Sequence, residues 1–183
     1  KKTFEELAQL PIDAFTLGNH SFSKKDVIKD FDSFTNIIRP LNFKEKYPGK
    51  GFKVYTHLST PIITINAVGQ VFMRPSHNPF EAIDNILKDL QKHNAIIIVD
   101  FHAEATSEKQ AMGWFLDGKV SCVFGTHTHV MTADNQILTK GQKVMIHVRK
   151  LQKFIEKQEN IELKNNSQEE FEKKCKEKFS ELH

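Results

Sequence analysis

The sequence predicts an α/β fold organised around a parallel β-sheet, and three observations indicate this class. Residues 95–99 form a continuous apolar, β-branched run, which is typical of a central strand buried on both faces. Helical patterns alternate with apolar runs along the chain, as they do in α/β proteins. Polar residues directly follow three of the predicted strands, at the edge where parallel sheets bind their ligands. We therefore expect one α/β domain with its functional site at the carboxyl ends of its strands.

The first segment of the chain has a helical pattern. Its apolar residues recur at helical spacing over residues 3–10, and Pro11 ends the pattern. The chain begins with Lys1, so neither a Met nor a capping residue precedes this helix. We therefore expect the chain to be a fragment that has lost an upstream segment.

A short strand follows the first helical pattern. Residues 12–17 are mostly apolar and predict a buried strand. Gly18 ends this strand, because glycine allows the backbone to turn sharply. Asn19 and His20 are then placed at the strand's carboxyl end.

The next part of the chain predicts a helix and a pair of strands. Residues 23–34 carry an amphipathic helical pattern with Ser23 as the expected N-cap. Residues 47–51 contain Gly-Lys-Gly, which we interpret as a surface turn rather than a phosphate loop, because the full P-loop pattern is missing. Residues 52–55 and 61–66 predict two strands that pair antiparallel.

The strongest helix signals lie in the middle of the chain. After an irregular loop at residues 69–77, Asn78 is the expected N-cap, with Pro79 at the first helical position and Glu81 in the first turn. The buried strand at residues 95–99 comes next and leads directly to His102. A helix over residues 106–116 and a strand over residues 119–124 complete this part of the fold.

The stretch that organises the functional argument is Phe-Gly-Thr-His-Thr-His at residues 124–129. Side chains two apart in an extended segment point to the same side, so we expect His127 and His129 to face one spot. Few structural reasons require two imidazoles in one short loop. A metal ion is the chemistry that this pattern favours.

Three strand ends therefore carry candidate ligands, which are Asn19, His20, His102, His127 and His129. The carboxyl ends of parallel strands share one edge, so these side chains should converge. An amide oxygen and neutral imidazoles suit Zn²⁺, Mn²⁺, Fe²⁺ or Co²⁺, whereas Ca²⁺ and Mg²⁺ prefer oxygen ligands. We interpret the remaining histidines as ordinary polar residues: His57, His77, His93, His147 and His183.

Composition excludes several other classes of protein. The chain has 183 residues, of which 39% are hydrophobic and 27% charged, and no apolar run is long enough to span a bilayer. Its net charge is +3, but only three of its 26 basic residues are Arg, which argues against nucleic-acid recognition. With only two cysteines and no recognisable signal peptide, we expect a cytoplasmic location.

The motifs at the strand ends resemble, in order and spacing, those of the calcineurin-like metallophosphoesterases, and within that superfamily those of the YmdB-like branch. The most specific is Val-Asp-Phe-His-Ala-Glu-Ala-Thr-Ser-Glu-Lys at residues 99–109. The resemblance covers residues 1 to about 146 and rests on the motifs at residues 16–22, 39–42, 99–109, 125–130 and 132–134.

The resemblance implies a four-layer αββα sandwich, incomplete at its N-terminus, that hydrolyses phosphodiesters such as cyclic nucleotides. It also implies a binuclear centre of two divalent transition-metal ions, Fe, Mn or Zn. By motif, Asn19, His102 and His127 would bind one metal and His129 the other. His20 would be the catalytic residue, acting as general acid or stabilising the transition state without binding metal.

Two further elements are candidates to border the substrate phosphate. Arg39 belongs to one of the matching motifs and carries a fixed positive charge. The Ala-Thr-Ser turn at residues 105–107 follows the long motif directly.

This chain departs from the family pattern at both ends. The family's first metal-binding Asp and its Glu-Asn pair would lie upstream of residue 3, so we expect weak metal binding and low turnover. A truncated form of an active enzyme and a naturally shortened remnant both remain open. After residue 146 the family continues with Thr-Asp-Val-Gly-Met, whereas this chain has His-Val-Arg-Lys.

The final part of the chain differs from the rest. We assign residues 1–148 to a metallophosphoesterase-like domain and residues 149–183 to a helical extension. Ser167 and Glu170 have the spacing of a capping box that opens a helix. We expect this extension to pack on the domain or on a partner chain, and a homo-oligomer is compatible with that expectation.

The sequence leaves three functions open. A metal-dependent phosphodiesterase acting on a small-molecule substrate, with no membrane partner, is the preferred hypothesis. The alternative is a non-catalytic remnant that acts as a structural or interaction protein. A mononuclear zinc hydrolase is a third possibility, because two or three histidines and a water can serve such a site.

Overall fold

The computed structural model describes residues 5–6, 12–57, 60–75, 77–90, 95–130, 132–140 and 143–145. Its strands are β1 (Phe15–Thr16), β2 (Ile37–Ile38), β3 (Phe52–His57), β4 (Thr60–Val68), β5 (Ile96–His102), β6 (Cys122–Thr126), β7 (Gln136–Ile137) and β8 (Lys143–Met145). Its longer helices are α1 (Lys25–Asp30), α2 (Pro79–Leu90) and α3 (Thr106–Phe115), and a short 3-10 helix at Phe31–Ser33 continues α1.

The strands form two sheets. The larger has six strands in the order β3-β4-β5-β6-β8-β7, and the smaller pairs β1 with β2 in parallel. Strands β4, β5, β6 and β8 run parallel to one another, while β3 and β7 pair antiparallel at the two ends of the large sheet. The predicted α/β class is confirmed. The antiparallel pairing predicted for the strands at residues 52–55 and 61–66 is also confirmed, since these strands are β3 and β4.

Strand β5 divides its residues between two faces of the large sheet. Ile97, Val99 and Phe101 are buried in the main apolar core, which also contains residues of α2 and α3. Asp100 and His102, which alternate with them, lie on the opposite face. The register aligns Val68 of β4, His102 of β5 and Thr126 of β6 side by side, so three strands end at one edge.

Asn66 of β4 joins the two sheets. Its side chain is fully buried, and its amide nitrogen donates hydrogen bonds to the carbonyl oxygens of Leu17 and Ile38, which belong to the small sheet or border it. Among the described residues, the amide oxygen of Asn66 has no hydrogen-bond partner. Asn66 therefore helps to position the small sheet, and Asn19 just beyond it, together with the backbone hydrogen bonds of Arg39 to Lys50 and of Leu41 to Asn66.

Several local predictions are confirmed and others need correction. Asn78 does cap α2, because its side-chain oxygen accepts a hydrogen bond from the Phe80 N–H at 2.9 Å. Ser23 does not cap α1: the N-cap is Lys24, without a side-chain cap bond, and the Ser23 hydroxyl is instead hydrogen-bonded to His20. The strand predicted over residues 12–17 is shorter than expected, since only Phe15 and Thr16 pair with β2.

Other predictions lie partly or wholly outside the described residues. Of the first helical pattern, only residues 5–6 are described, and both are helical. The extension over residues 149–183, with its capping box, stays a prediction. No helix in the described part of the chain is long and apolar enough to cross a membrane.

We predict that Asn66→Ala lowers the free energy of unfolding by about 1–3 kcal/mol, because it leaves the Leu17 carbonyl without its side-chain donor and removes one of the two donors to the Ile38 carbonyl, which keeps the Leu17 N–H. Urea denaturation of the 183-residue chain measures this change. The matched control is Asn85→Ala, which removes the same group from an exposed position of α2 and should change stability by less than about 0.5 kcal/mol. Equal effects of the two substitutions would contradict the role assigned to Asn66.

Candidate metal centre

Three loops bring Asn19, His102 and His127 together at the carboxyl edge of the sheets. Asn19 follows β1, His102 ends β5 and His127 follows β6. His102 Nε2 lies 3.2 Å from Asn19 Oδ1 and 3.1 Å from His127 Nδ1. The two imidazole rings meet edge to face, with centroids 4.8 Å apart. The predicted convergence of these three side chains is therefore present in the structure.

A hydrogen-bond relay sets which nitrogen of His102 carries the proton. The Thr126 hydroxyl donates its one proton to Asp100 Oδ1 at 2.8 Å. Its oxygen lies 3.0 Å from His102 Nδ1 and must therefore accept from that nitrogen. The proton of the neutral His102 ring is thus on Nδ1, and a lone pair is left on Nε2.

The charge states of Asp100 and His102 suit this relay. Burial raises the pKa of Asp100 to about 6, against hydrogen bonds from Thr16 and Thr126 that lower it. Burial, followed by the nearby His127, lowers the pKa of His102 to about 4. At neutral pH the carboxyl group is therefore mostly ionised and the imidazole is neutral.

A second carboxylate orients His127. Glu104 Oε2 lies 2.7 Å from His127 Nε2, so this nitrogen donates its proton to the carboxylate. In the neutral ring the lone pair is then on Nδ1, the atom that lies beside His102 Nε2. Histidines that bind metals commonly donate their other N–H to a carboxylate in this way.

With both rings neutral, the outcome is a set of three acceptor atoms with no proton between them. Asn19 Oδ1, His102 Nε2 and His127 Nδ1 each present a lone pair, and lone pairs at such distances repel unless a cation lies among them. Separations of 3.1 and 3.2 Å fit two ligand atoms each bound about 2.1 Å from one ion. Within the described residues no group of three or more His, Cys, Asp or Glu could hold a metal ion, so the amide of Asn19 is essential to this set.

His20 and His129 lie at the same edge but outside the hydrogen-bonded cluster. Both are close enough to His102 to contribute to its lowered pKa. His20 Nδ1 is hydrogen-bonded to the Ser23 hydroxyl at 3.3 Å. His127 and His129 have φ angles of 103° and 55°, so this segment is not extended. The extended geometry assumed for His127 and His129 is therefore absent, and the expectation that their side chains face one spot stays a prediction.

Gly18 has a role that the sequence did not reveal. A Cβ atom at this position would lie 2.3 Å from Cε1 and Nε2 of His102. Gly18 does begin a turn, since the Ser21 N–H donates to its carbonyl oxygen, but its φ angle is outside the left-handed region, so the close approach of the imidazole is what requires glycine. The structure thereby explains why Gly18 precedes Asn19.

Lys109 places a positive charge beneath the loop that carries His127. The residue is buried, and its ammonium group donates to the Thr128 hydroxyl at 3.5 Å. Its pKa is lowered by burial, an effect that Glu104 and Asp134 oppose. The charge of Lys109 also contributes to the lowered pKa of His102.

Arg39 does not border a phosphate site, contrary to the sequence-based suggestion. Its guanidinium is buried and donates to the carbonyl oxygens of Pro48, Pro40 and Leu41. Burial lowers its pKa. The arginine instead stabilises the turn between β2 and β3.

The partners of the histidines were missed by sequence reasoning. Asp100, Glu104 and Thr126 lie in motifs that were recognised, but no role was assigned to them. The alternation Asp-Phe-His at residues 100–102 was a usable signal, since side chains two apart in a strand share a face. Pairing with Thr126 depends on the register between β5 and β6, which the sequence does not reveal.

Comparison with known proteins identifies the family of this chain and several relatives. The sequence model of the family described as YmdB-like protein matches residues 1–148. A Bacillus subtilis protein named 2′,3′-cyclic-nucleotide 2′-phosphodiesterase is 45% identical over 141 residues, which are 77% of this chain and 53% of that relative. The chain spans about half the length of the curated relatives it matches.

Solved structures show the same fold. A hypothetical protein from Thermus thermophilus superposes with a TM-score of 0.71 at 37% identity, covering 79% of this chain and 56% of the other. A crystal structure described as a novel phosphatase from Mycoplasma pneumoniae has a TM-score of 0.68 at 33% identity, covering 78% and 52%. These two proteins therefore share the fold of this chain.

We predict that Gly18→Ala costs about 1–3 kcal/mol of stability, because the added methyl group overlaps the His102 ring. A double-mutant cycle with His102→Ala measures the coupling between the two positions. In the His102→Ala background the same Gly18→Ala change should cost almost nothing, since the obstructing ring is gone. An equal cost in both backgrounds would show that Gly18 is needed for its backbone conformation instead.

Proposed function

This chain belongs to the family of YmdB-like proteins, and we propose that it takes part in metal-dependent hydrolysis of phosphodiesters. The observation that carries the proposal is the convergence of Asn19 Oδ1 and His127 Nδ1 on His102 Nε2, at 3.2 and 3.1 Å. A small-molecule substrate such as a 2′,3′-cyclic nucleotide is supported by the name of the Bacillus subtilis relative.

In this proposal, Asn19, His102 and His127 hold one divalent transition-metal ion, Fe, Mn or Zn. His129 lies outside the cluster and would contribute to a second metal. A bound ion would lower the pKa of a water and neutralise charge on the phosphoryl oxygens. The donor set fits such an ion, because one amide oxygen and two imidazoles suit borderline divalent metals.

The hydrogen-bond partners of His102 and His127 leave one nitrogen of each ring available to bind a metal. Asp100, through Thr126, and Glu104 hold the two imidazoles in opposite tautomers, so both lone pairs are available without a change in protonation. Such carboxylate partners also raise the basicity of the ligands they orient. Burial lowers the pKa of His102, so its ring stays neutral and its Nε2 lone pair stays available to a metal.

His20 is the proposed general acid. It neighbours the ligand Asn19 in sequence, and Ser23 engages only one of its ring nitrogens. The other nitrogen can donate a proton to the oxygen that leaves phosphorus, which becomes a hydroxyl group. Exposure of His20 at the open edge gives a substrate access to it.

We predict that the chain binds Mn²⁺ or Fe²⁺ and that His102→Ala weakens binding at least about 100-fold. Loss of a residue that binds the metal directly reduces metal affinity more than loss of a residue that only supports a ligand. Calorimetric titration and elemental analysis measure affinity and stoichiometry. His77→Ala is the matched control, since it removes an exposed imidazole from a loop outside the cluster and should bind as the unmodified chain does. Equal affinity of all three proteins would refute the ligand set.

We predict that His20→Ala lowers kcat for a chromogenic phosphodiester by about 10²–10⁴-fold, the usual contribution of a general acid. Metal affinity should stay unchanged, which separates this role from that of a ligand. Metal binding without any turnover by the unmodified chain would favour the non-catalytic alternative. Neither metal binding nor turnover after addition of Mn²⁺ or Fe²⁺ would refute the proposal for this chain.

A further inference from the structure

The loop between β4 and α2 is closed at its base by one buried side chain. The Asn42 amide donates to the carbonyl oxygens of Val68 and His77 and accepts the Val68 N–H at 2.9 Å. The His77 N–H in turn donates to the Asn42 carbonyl at 3.0 Å. The two ends of the loop are thus held together, as they are in compact loops that often carry function.

A second buried side chain supports the loop from within. The Glu108 carboxylate, on α3, accepts hydrogen bonds from the backbone N–H groups of Gln70 at 2.7 Å and Val71 at 3.3 Å. Gly69 allows this approach, because a Cβ there would lie 2.4 Å from Glu108 Oε2. A carboxylate with 8% exposure is an unusual support for a surface loop, and it limits how far the loop can move.

This loop displays one aromatic side chain. Phe72 is 89% exposed and has a φ of 61°, a conformation that is rare for a bulky residue and costs energy. Gln70 and Arg74 of the same loop are exposed and polar, whereas the adjoining Val71 is apolar and 41% exposed. One aromatic and one valine side chain are together too small for a stable protein interface, which buries about 800 Å² on each partner. It suits a small planar ligand.

The loop begins beside the candidate metal centre. Val68 pairs with His102 in the sheet, and the Gly69 N–H donates to the His102 carbonyl at 3.0 Å. Phe72 is three residues farther on, and three extended residues span at most about 11 Å. The backbone of Phe72 therefore lies within about 11 Å of Gly69, the residue that is hydrogen-bonded to His102.

We propose that Phe72 is the stacking platform for the nucleobase of the substrate. The inference rests on the proposed function, since it supplies the base-recognising part of the same site. The Asn42 and Glu108 contacts hold the backbone of the loop in place before the ligand arrives, which reduces the entropy cost of binding. Stacking tolerates different bases, so this platform would select for a nucleotide over a simple phosphodiester without selecting one base.

Equilibrium binding tests this role without requiring turnover. We expect Phe72→Ala to weaken binding of adenosine 3′-monophosphate about tenfold, and Phe72→Tyr to restore it, because stacking on an aromatic contributes about this much per base. Ribose phosphate, which has no base, should bind equally to all variants. Trp114→Ala is the matched control, because it removes another exposed aromatic, near the opposite end of α3, and should leave binding unchanged.

Several results would overturn the proposal. These are unchanged nucleotide binding in Phe72→Ala, an equal loss for ribose phosphate, or no nucleotide binding by the unmodified chain. A change in oligomeric state on sedimentation, without a change in binding, would assign Phe72 to contact with a second copy. Nucleotide binding that depends on Phe72 in a chain without turnover would refute the proposed hydrolysis and leave this inference standing.

Discussion

The structure of the site depends on keeping protons away from three neighbouring acceptor atoms. His102 Nε2, His127 Nδ1 and Asn19 Oδ1 lie at hydrogen-bonding distances, yet the proton of each neutral imidazole is used elsewhere. The His102 ring donates its proton in a hydrogen bond to Thr126, and the His127 ring donates its proton to Glu104. Two carboxyl groups, of Asp100 and Glu104, thereby impose opposite tautomers on two adjacent histidines. The lone pairs of these three atoms repel one another when no cation is present, but together they are the ligands that a divalent cation requires.

The fold supplies this arrangement through the alternation of one strand. In β5, the residues that alternate with Asp100 and His102 are buried in the apolar core against α2 and α3, so the strand cannot shift without exposing them. Asn66, on the neighbouring strand, ties the small sheet to the large one and so positions Asn19. The loop that displays Phe72 leaves the same edge. Packing of the apolar face of β5 therefore fixes the positions of Asp100 and His102 on its opposite face.

Much of this could be predicted from the sequence, because the signals were local. The buried run of β5, the Asn-capped helix α2 and the polar residues at strand ends follow from hydrophobic pattern and capping. What could not be predicted depends on contacts between distant parts of the chain. Pairing of Thr126 with Asp100, the approach of His102 to Gly18 and the burial of Arg39 all require the register and packing of separate elements. The positive φ angle of His127 also differs from the extended backbone that the sequence analysis assumed for residues 127–129.

Long-range ¹H–¹⁵N NMR of the imidazole nitrogens tests the pair of opposite tautomers most directly, and the proposed metal site depends on that pair. In the metal-free chain at neutral pH, we expect His102 to be protonated at Nδ1 and bare at Nε2, and His127 to be protonated at Nε2 and bare at Nδ1. A proton on His102 Nε2 or on His127 Nδ1 would contradict this expectation. The two rings would then be joined by an ordinary hydrogen bond, and the convergence would not indicate a metal site.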